Sequence, residues 1–248
     1  MARDSHDILS DPPPPAATAR LTYGPAPLQF GDLRIPPADD APHPLAIVIH
    51  GGFWKANFNL IHTGHICAAL GDLGVMTWNV EYRRVGDPGG GWPGSYEDVV
   101  RAVRFAQGLA DVDPARIVLV GHSAGGHLAL LAAGRTRLPV VAIAAVSDLV
   151  GWQTPQSAAF LAGAAPTAAS PLQALPLGVR QVLVHGTNDD VVPYRLSEAY
   201  VAAARETGDD ATLVRLDGAG HFEPIDPLAP ESRQVLDAVI ALASPGRS

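Results

Sequence analysis

The chain has 248 residues, with 17 lysines and arginines against 25 aspartates and glutamates, and so a formal net charge of −8 at pH 7. This acidic balance disfavours nucleic-acid binding, which depends on basic patches. A hydrophobic fraction of 47% excludes a disordered chain. The single cysteine, Cys67, excludes internal disulfides and a cysteine-rich zinc site.

The N-terminal residues predict a surface lead-in rather than a targeting segment. They contain no basic stretch followed by an apolar one, which is the pattern of a secretory signal, and no lipidation pattern. The longest apolar runs are far shorter than the ~20 residues of a membrane span. We therefore expect a cytoplasmic protein with no membrane partner. Residues 12–15 are four prolines, which favour a stiff segment. We divide the chain into a proline-rich lead-in, residues 1–18, and a single domain, residues 19–248.

Short apolar runs alternate with helix-length segments along that domain. Residues 19–23 and 28–35 predict an antiparallel pair of strands at one edge of a sheet. Runs that are wholly or mostly apolar suit strands covered on both faces. They occur at residues 45–49, 75–80, 117–120, 140–146 and 182–184, and a more mixed run follows at residues 212–216. The dipeptide Asp113-Pro114 predicts a turn before the third of these runs.

Helical patterns separate the apolar runs. They cover residues 60–73, 95–109, 123–133, 194–205 and 231–242. Residues from about 150 to 171, rich in alanine and proline, predict a short insertion over the top of the sheet with one small helix. This order predicts an α/β fold with a doubly wound, mostly parallel sheet of about eight strands flanked by helices.

Residues 121–126, with the sequence GHSAGG, follow a predicted strand and precede a predicted helix. A sharp strand-to-helix turn exposes a serine only if its neighbours are small, because bulky side chains at Gly121 and Gly125 would collide. The N-terminus of the helix also favours developing negative charge. We therefore predict that Ser123 is a nucleophile. The alternative is a capping serine at a glycine-rich helix start; a phosphate-binding loop is disfavoured because the G-K-[ST] ending is missing.

Residues 50–54, with the sequence HGGFW, end the first buried strand. Acyl transfer needs N–H donors fixed where the carbonyl oxygen becomes an anion, and consecutive glycines let the backbone approach a substrate closely. We predict an oxyanion hole formed by the backbone N–H groups of Gly52, Phe53 and Ala124. Phe53 keeps its N–H but narrows the pocket. His50 is expected to brace the turn by hydrogen bonds.

A serine nucleophile needs a general base, and three histidines follow Ser123 in the chain. His221 lies in a GAGH loop after the last strand and is the preferred base. His185, at the end of a buried strand, and His127, inside the helix after the serine, are the alternatives and are interpreted as packed residues.

The base needs a carboxylate that orients it. Asp189 and Asp190 both follow the fifth buried strand, and Asp189 is the preferred acid. Asp148, after the fourth buried strand, is a more distant alternative. The order serine, acid, histidine is the one typical of proteins with a G-x-S-x-G turn.

Together these segments resemble the α/β-hydrolase superfamily, and more narrowly its hormone-sensitive-lipase-like and arylformamidase-like serine esterases. Residues 50–54 resemble their oxyanion motif, 121–126 their GHSAGG turn, 185–193 their acid turn and 218–221 their base loop. The resemblance covers residues 20–245 and implies the α/β-hydrolase fold with Ser123, Asp189 and His221 as catalytic residues. Phe53 stands where related patterns often carry a third glycine. The insertion and the N-terminal segment are shorter than the caps of many relatives, which favours a minimal cap and an open site.

These residues predict a carboxylesterase-type acyl-enzyme mechanism that requires no metal and no organic cofactor. Small carboxylic esters are the first substrate class, and arylformamides such as N-formylkynurenine are the second. A non-catalytic, ligand-binding member of the fold is disfavoured because all three candidate catalytic residues are present. The sequence leaves open whether the chain forms a homodimer.

Aromatic residues near these motifs are candidates for the walls of a substrate pocket, although each could equally lie in the core. They are Trp54, Trp92, Trp152 and Phe222. His62 and His65 are three residues apart on a predicted helix, but no carboxylate cluster accompanies them. We therefore predict surface or packing residues there rather than a metal site. Cys67 is expected to be a small buried hydrophobic residue.

Overall fold

The computed structural model describes residues 12–37 and 41–244. Residues 1–11 of the predicted lead-in, residues 38–40, and residues 245–248 at the end of the predicted domain lie outside the described residues.

Within the described ranges, eight strands form one sheet. They are β1 (Ala19–Thr22), β2 (Phe30–Arg34), β3 (His43–Ile49), β4 (Met76–Val80), β5 (Val112–His122), β6 (Val140–Ile143), β7 (Gln181–Gly186) and β8 (Ala211–Leu216). Their order across the sheet is β1-β2-β4-β3-β5-β6-β7-β8. The β1–β2 and β2–β4 pairs are antiparallel, and every other neighbouring pair is parallel. The eight-stranded, mostly parallel sheet with a leading antiparallel pair is therefore confirmed.

In the part of the chain that the structure describes, six α-helices connect or flank the strands. They are α1 (Gly64–Asp72), α2 (Gly94–Ala106), α3 (Ala124–Thr136), α4 (Pro155–Leu161), α5 (Arg195–Glu206) and α6 (Ser232–Ala243). The buried side chains form two apolar clusters, one on each face of the sheet. Helices α1 and α6 contribute to one cluster, and α2, α3 and α5 contribute to the other. Along β3, Leu45 and Ile47 belong to one cluster and Ala46 to the other. Burial of both faces explains why the central strands are mostly apolar.

Two predicted boundaries are wrong. Asp113 and Pro114 lie inside β5 rather than in a turn before it. The proline is accommodated there because the β3–β5 ladder changes register between His43 and Leu45. The strand predicted over residues 140–146 ends at Ile143, because Ala144 has a φ of 46° and turns the chain out of the extended conformation.

The predicted insertion contains α4 and the 3-10 turns Pro166–Ala168 and Pro171–Ala174. Thr154 caps α4 by accepting a hydrogen bond from the backbone N–H of Ser157 at 3.1 Å. Phe160 on α4 is fully buried in the apolar cluster to which α2, α3 and α5 contribute. Within residues 12–37 and 41–244, no helix is long and apolar enough to cross a membrane.

Candidate active site

Ser123 lies in the turn between β5 and α3 with a φ of 56° and a ψ of −119°. This backbone conformation is strained for a residue with a side chain and is typical of functional turns. The surroundings of the turn have no space for larger neighbours. A Cβ atom on Gly121 would overlap the carbonyl oxygen of Gly125, and one on Gly125 would overlap the carbonyl oxygen of Ile49. The glycines are therefore required by close backbone packing, as the motif predicts.

Asp189 and His221 are brought together from two different strand ends. His221 Nδ1 donates a hydrogen bond to Asp189 Oδ2 at 2.7 Å, and both side chains are buried. The loops that carry them touch, since a Cβ atom on Gly186 would overlap the carbonyl oxygen of Ala219. The preferred acid and the preferred base are thus in direct contact, although 32 positions separate them in the chain.

The carboxylate of Asp189 accepts four hydrogen bonds. Its Oδ1 accepts from the backbone N–H groups of Val191 at 2.9 Å and Val192 at 2.8 Å. Its Oδ2 also accepts from His185 Nε2 at 3.1 Å, besides His221. Burial acts to raise the pKa of Asp189, but the hydrogen bonds from His185 and His221 outweigh it and lower that pKa below its ordinary value. Asp189 is therefore ionised at neutral pH.

His221 lies beside the nucleophile turn. Its ring centroid is 4.6 Å from that of His122, the residue that precedes Ser123. Its carbonyl oxygen accepts a hydrogen bond from His122 Nε2 at 2.9 Å. Among the described residues, no hydrogen bond joins Ser123 Oγ to the imidazole of His221. Catalytic hydrogen bonds commonly tighten only when substrate binds.

The predicted oxyanion turn packs directly against the nucleophile. A Cβ atom on Gly51 would lie 3.0 Å from Ser123 Cβ. Gly52 and Phe53 have φ values of 107° and 54°. In the part of the chain that the structure describes, the backbone N–H groups of Gly52 and Phe53 donate to no other group. The backbone N–H group of Ala124 is at the first position of α3, where the helix provides no acceptor for it. All three donors are therefore available to an anion.

His50 fixes this turn from behind. Its two ring nitrogens face acceptors, Gly51 O at 2.7 Å and Glu81 Oε1 at 3.1 Å. Its ring stacks on Tyr82 with 4.5 Å between the centroids, and the Tyr82 hydroxyl donates to His50 O at 2.9 Å. Glu81 also forms an ion pair with Arg84 at 2.9 Å. Burial opposes ionisation of Glu81, yet its contacts with His50 and Arg84 lower its pKa. This arrangement matches the bracing role expected for His50.

The alternative bases are held in other contacts. His127 Nε2 donates to Ala169 O at 2.7 Å, and its Nδ1 accepts from Trp54 Nε1 at 3.3 Å. Burial lowers the pKa of His127 to about 4, so the ring is neutral. His185 is also buried, and Ser197 Oγ lies 2.7 Å from its Nδ1. The sequence did not indicate that His185 contacts the acid; the only available signal was its place at the end of the strand before Asp189.

The alternative acids are not in contact with a histidine among the described residues. Asp148 accepts hydrogen bonds from the backbone N–H groups of Val150 and Gly151 at 2.8 and 3.0 Å. Its carboxylate thus closes a local turn. Asp190 is exposed to solvent. Asp189 alone of the three candidate acids reaches His221 in the described part of the chain.

The four candidate aromatic residues lie in different environments. Trp54 is 2% exposed and stacks on Phe160 at 4.7 Å between ring centroids. It therefore belongs to the core, which corrects the expectation that it lines a substrate pocket. Trp92 is partly buried and stacks on Tyr96, and Trp152 packs partly buried against the same core. Phe222 contacts the candidate base, with its ring centroid 5.0 Å from that of His221.

His62 and His65 face different partners. His62 Nε2 lies 2.6 Å from His122 Nδ1, whereas His65 Nε2 lies 2.9 Å from Pro12 O. Across the described ranges, no group of three or more His, Cys, Asp or Glu side chains is arranged to hold a metal ion. His62 is buried and His65 is partly buried. No spacing in the sequence predicts the contact between His62 and His122.

The fold and the sequence matches define an α/β-hydrolase. A model of the prolyl oligopeptidase family matches residues 93–226, and the BD-FAE model matches residues 32–139. Since the first match covers more than half of the chain, this chain belongs to the prolyl oligopeptidase family of α/β-hydrolases.

Proteins of known sequence are similar to most of this chain. The chain is 24% identical to a probable isoprenylcysteine alpha-carbonyl methylesterase of Oryza sativa subsp. japonica, over 90% of this chain but only 62% of that protein. It is 30% identical to an uncharacterized protein of Mycobacterium tuberculosis, over 86% of this chain and 74% of the other.

Two esterase structures share the fold. One is a truncated carbohydrate esterase from gut microbiota, with a TM-score of 0.81 and 20% identity over 94% of this chain and 99% of the other. The other is an esterase of Thermogutta terrifontis, with a TM-score of 0.75 and 20% identity over 94% and 96% of the two chains.

Proposed function

We propose that the protein is a serine hydrolase that cleaves small carboxylic esters through an acyl-enzyme intermediate. The observation that carries this proposal is the buried hydrogen bond of 2.7 Å between Asp189 and His221, located beside the strained turn that holds Ser123. A buried, ionised carboxylate that holds an imidazole next to a hydroxyl is the arrangement that activates a serine.

The proposed reaction follows from the positions of these groups. Ser123 Oγ attacks the ester carbonyl while His221 Nε2 takes the hydroxyl proton. Asp189 holds the proton on His221 Nδ1 and stabilises the imidazolium. The oxyanion of the tetrahedral intermediate accepts hydrogen bonds from the free N–H groups of Gly52, Phe53 and Ala124.

Collapse of this intermediate completes the acylation. His221 gives its proton to the leaving alcohol, and the acyl group remains on Ser123. A water molecule then attacks the acyl-enzyme with His221 as base. The second tetrahedral intermediate collapses as its bond to Ser123 Oγ breaks and His221 returns the proton to that oxygen, which releases the carboxylic acid and restores the Ser123 hydroxyl.

An ester substrate is supported by the relatives, whose names include a methylesterase, a carbohydrate esterase and an esterase. The insertion adds one short helix, α4, and its Phe160 is buried in the core rather than over the turn of Ser123. Phe222, beside His221, and Phe53, in the oxyanion turn, are the aromatic groups that we propose as walls for a small acyl or alcohol group.

A comparison of wild type with Ser123→Ala tests the proposal. We expect wild type to hydrolyse p-nitrophenyl acetate and butyrate faster than the octanoate. Ser123→Ala should lower kcat by about 10⁴-fold or more, because no other nucleophile occupies the turn. The matched control is Ser244→Ala, an exposed serine just after α6, which should leave kcat unchanged.

A fluorophosphonate probe provides an independent measurement. Peptide mapping should place the label on Ser123. Equal hydrolysis rates for wild type and Ser123→Ala, or a label on another residue, would exclude the proposed nucleophile. Including N-formylkynurenine in the panel decides between ester and arylformamide hydrolysis.

A further inference from the structure

Two buried histidines outside the proposed triad connect the nucleophile turn to the loop of the base. His122 precedes Ser123, and His62 lies in the 3-10 turn Leu60–Thr63 that leads into α1. His62 Nε2 is 2.6 Å from His122 Nδ1, and His122 Nε2 is 2.9 Å from the carbonyl oxygen of His221. His62 and His122 are 5% and 1% exposed, so water does not compete for these contacts.

The carbonyl oxygen of His221 lies at one end of these two contacts and sets the direction of both hydrogen bonds. A carbonyl oxygen can only accept, so His122 Nε2 must carry a proton. A neutral imidazole has one donor, which leaves His122 Nδ1 as an acceptor and makes His62 Nε2 the donor to it. Burial lowers the pKa of both histidines well below the ordinary value, in agreement with two neutral rings. His62 Nδ1 is then a bare nitrogen, and it has no hydrogen-bond partner in the described part of the chain.

The loop of His221 is held at two places. Close to the acid turn, Gly218 N donates to Thr187 Oγ1 and Asn188 N donates to Ala219 O, both at 2.9 Å. Next to Ser123, His122 holds the backbone of His221 itself. This second attachment exists only while the Nε2–H of His122 points at the loop, and the hydrogen bond from His62 to His122 Nδ1 fixes the ring in that orientation.

We propose that His62 and His122 are positioning residues for the reaction, with His62 fixing the orientation of the His122 ring so that His122 holds the base beside the nucleophile. This inference rests on the proposed function. His62 touches neither Ser123 nor the imidazole of His221 through a hydrogen bond, so it acts through His122. Loss of the donor should let His122 release the loop and misplace His221, which lowers the rate of the chemical step.

The test compares His62→Met with His62→Gln. Methionine fills a similar volume without a donor, whereas the glutamine amide can donate to His122 Nδ1. We expect His62→Met to lower kcat for p-nitrophenyl acetate about 10- to 100-fold with KM almost unchanged. His62→Gln should recover most of that loss. The thermal midpoint of His62→Met should stay close to that of wild type, because the variant removes the unpartnered His62 Nδ1 but leaves the buried His122 Nδ1 without its donor. The matched control, His65→Met, should keep wild-type kcat.

All rates are normalised to the concentration of active sites, titrated with the fluorophosphonate probe. A poorly folded fraction of the protein then does not lower the measured kcat. The tautomers are measured in the wild-type protein by ¹H–¹⁵N NMR of the histidine rings, which requires no variant to fold. His122 should carry its proton on Nε2.

The outcomes separate this inference from the proposed function. If Ser123→Ala retains activity, the proposed function fails whatever His62 does. If Ser123→Ala is inactive but His62→Met has wild-type kcat, the inference is overturned and the function stands. A glutamine variant as slow as the methionine variant, or a proton on His122 Nδ1, also overturns it.

Discussion

Replacing Asp189 by asparagine removes the charge of the proposed acid and changes the shape of its side chain little. The surroundings decide how the new amide is oriented. Oδ1 accepts from two backbone N–H groups, those of Val191 and Val192, and Oδ2 accepts from His221 and His185. A backbone N–H cannot become an acceptor, whereas a neutral imidazole can shift its proton to the other nitrogen. The amide oxygen should therefore stay on the backbone side, and the NH₂ group should face the histidines.

This orientation disables the base. His221 Nδ1 must then accept a hydrogen bond from the amide, so the imidazole proton moves to Nε2. That nitrogen can no longer take the proton of Ser123. We expect kcat to fall about 10⁴-fold, equivalent to about 5.4 kcal/mol at 1.36 kcal/mol for each factor of ten.

The assay is p-nitrophenyl acetate hydrolysis at pH 7.5, with folding checked by circular dichroism. The matched control is Asp190→Asn, which makes the same chemical change at the exposed neighbour and should retain wild-type kcat. If folded Asp189→Asn hydrolyses the ester within tenfold of wild type, the hydrogen bond between Asp189 and His221 does not orient the base and the reasoning is refuted.

Three further predictions concern stability and packing. Burial lowers the pKa of His127 to about 4, below the ordinary 6.5 of the unfolded chain. The unfolded state therefore gains a proton first as the pH falls, and stability should decrease between about pH 6.5 and 4. From pH 7.5 to 5 this residue should cost about 2 kcal/mol in urea unfolding, a dependence that His127→Gln should remove. Gly186→Ala should lower kcat far more than the thermal midpoint, because its Cβ would push the carbonyl of Ala219 in the base loop; an unchanged kcat would contradict this. Glu81→Ala should destabilise the fold by about 3 kcal/mol in urea unfolding, because it leaves buried Arg84 without this partner; a loss under 1 kcal/mol would show that the ion pair is dispensable.

The fold could be predicted closely because its strongest signals are local. A strand covered on both faces is mostly apolar, and apolar runs mark β3 to β7 in the sequence. The errors occurred where distant backbone decides a local feature. Pro114 lies inside a strand because the β3–β5 ladder changes register near His43. The strand β6 stops at Ile143 because the chain turns at Ala144.

Some residues of the candidate site could be predicted and others could not, again because some depend on local sequence and others on distant contacts. Ser123 could be found from its neighbours alone, because a strained turn requires glycine at Gly121 and Gly125. The sequence allowed Trp54 to lie either in the core or in the wall of a substrate pocket. Its stacking on Phe160, which comes from the insertion, places it in the core.

The sequence by itself determined the order of the strands along the chain, the turn at Ser123 and a preferred acid and base, because each of these depends on neighbouring residues. The tertiary structure alone decided which polar side chains meet. His185 joins His221 on Asp189, and His62 reaches His122 across 60 positions of the chain. A buried polar atom needs a hydrogen-bond partner whose identity is set by packing in three dimensions, and no spacing along the chain encodes it.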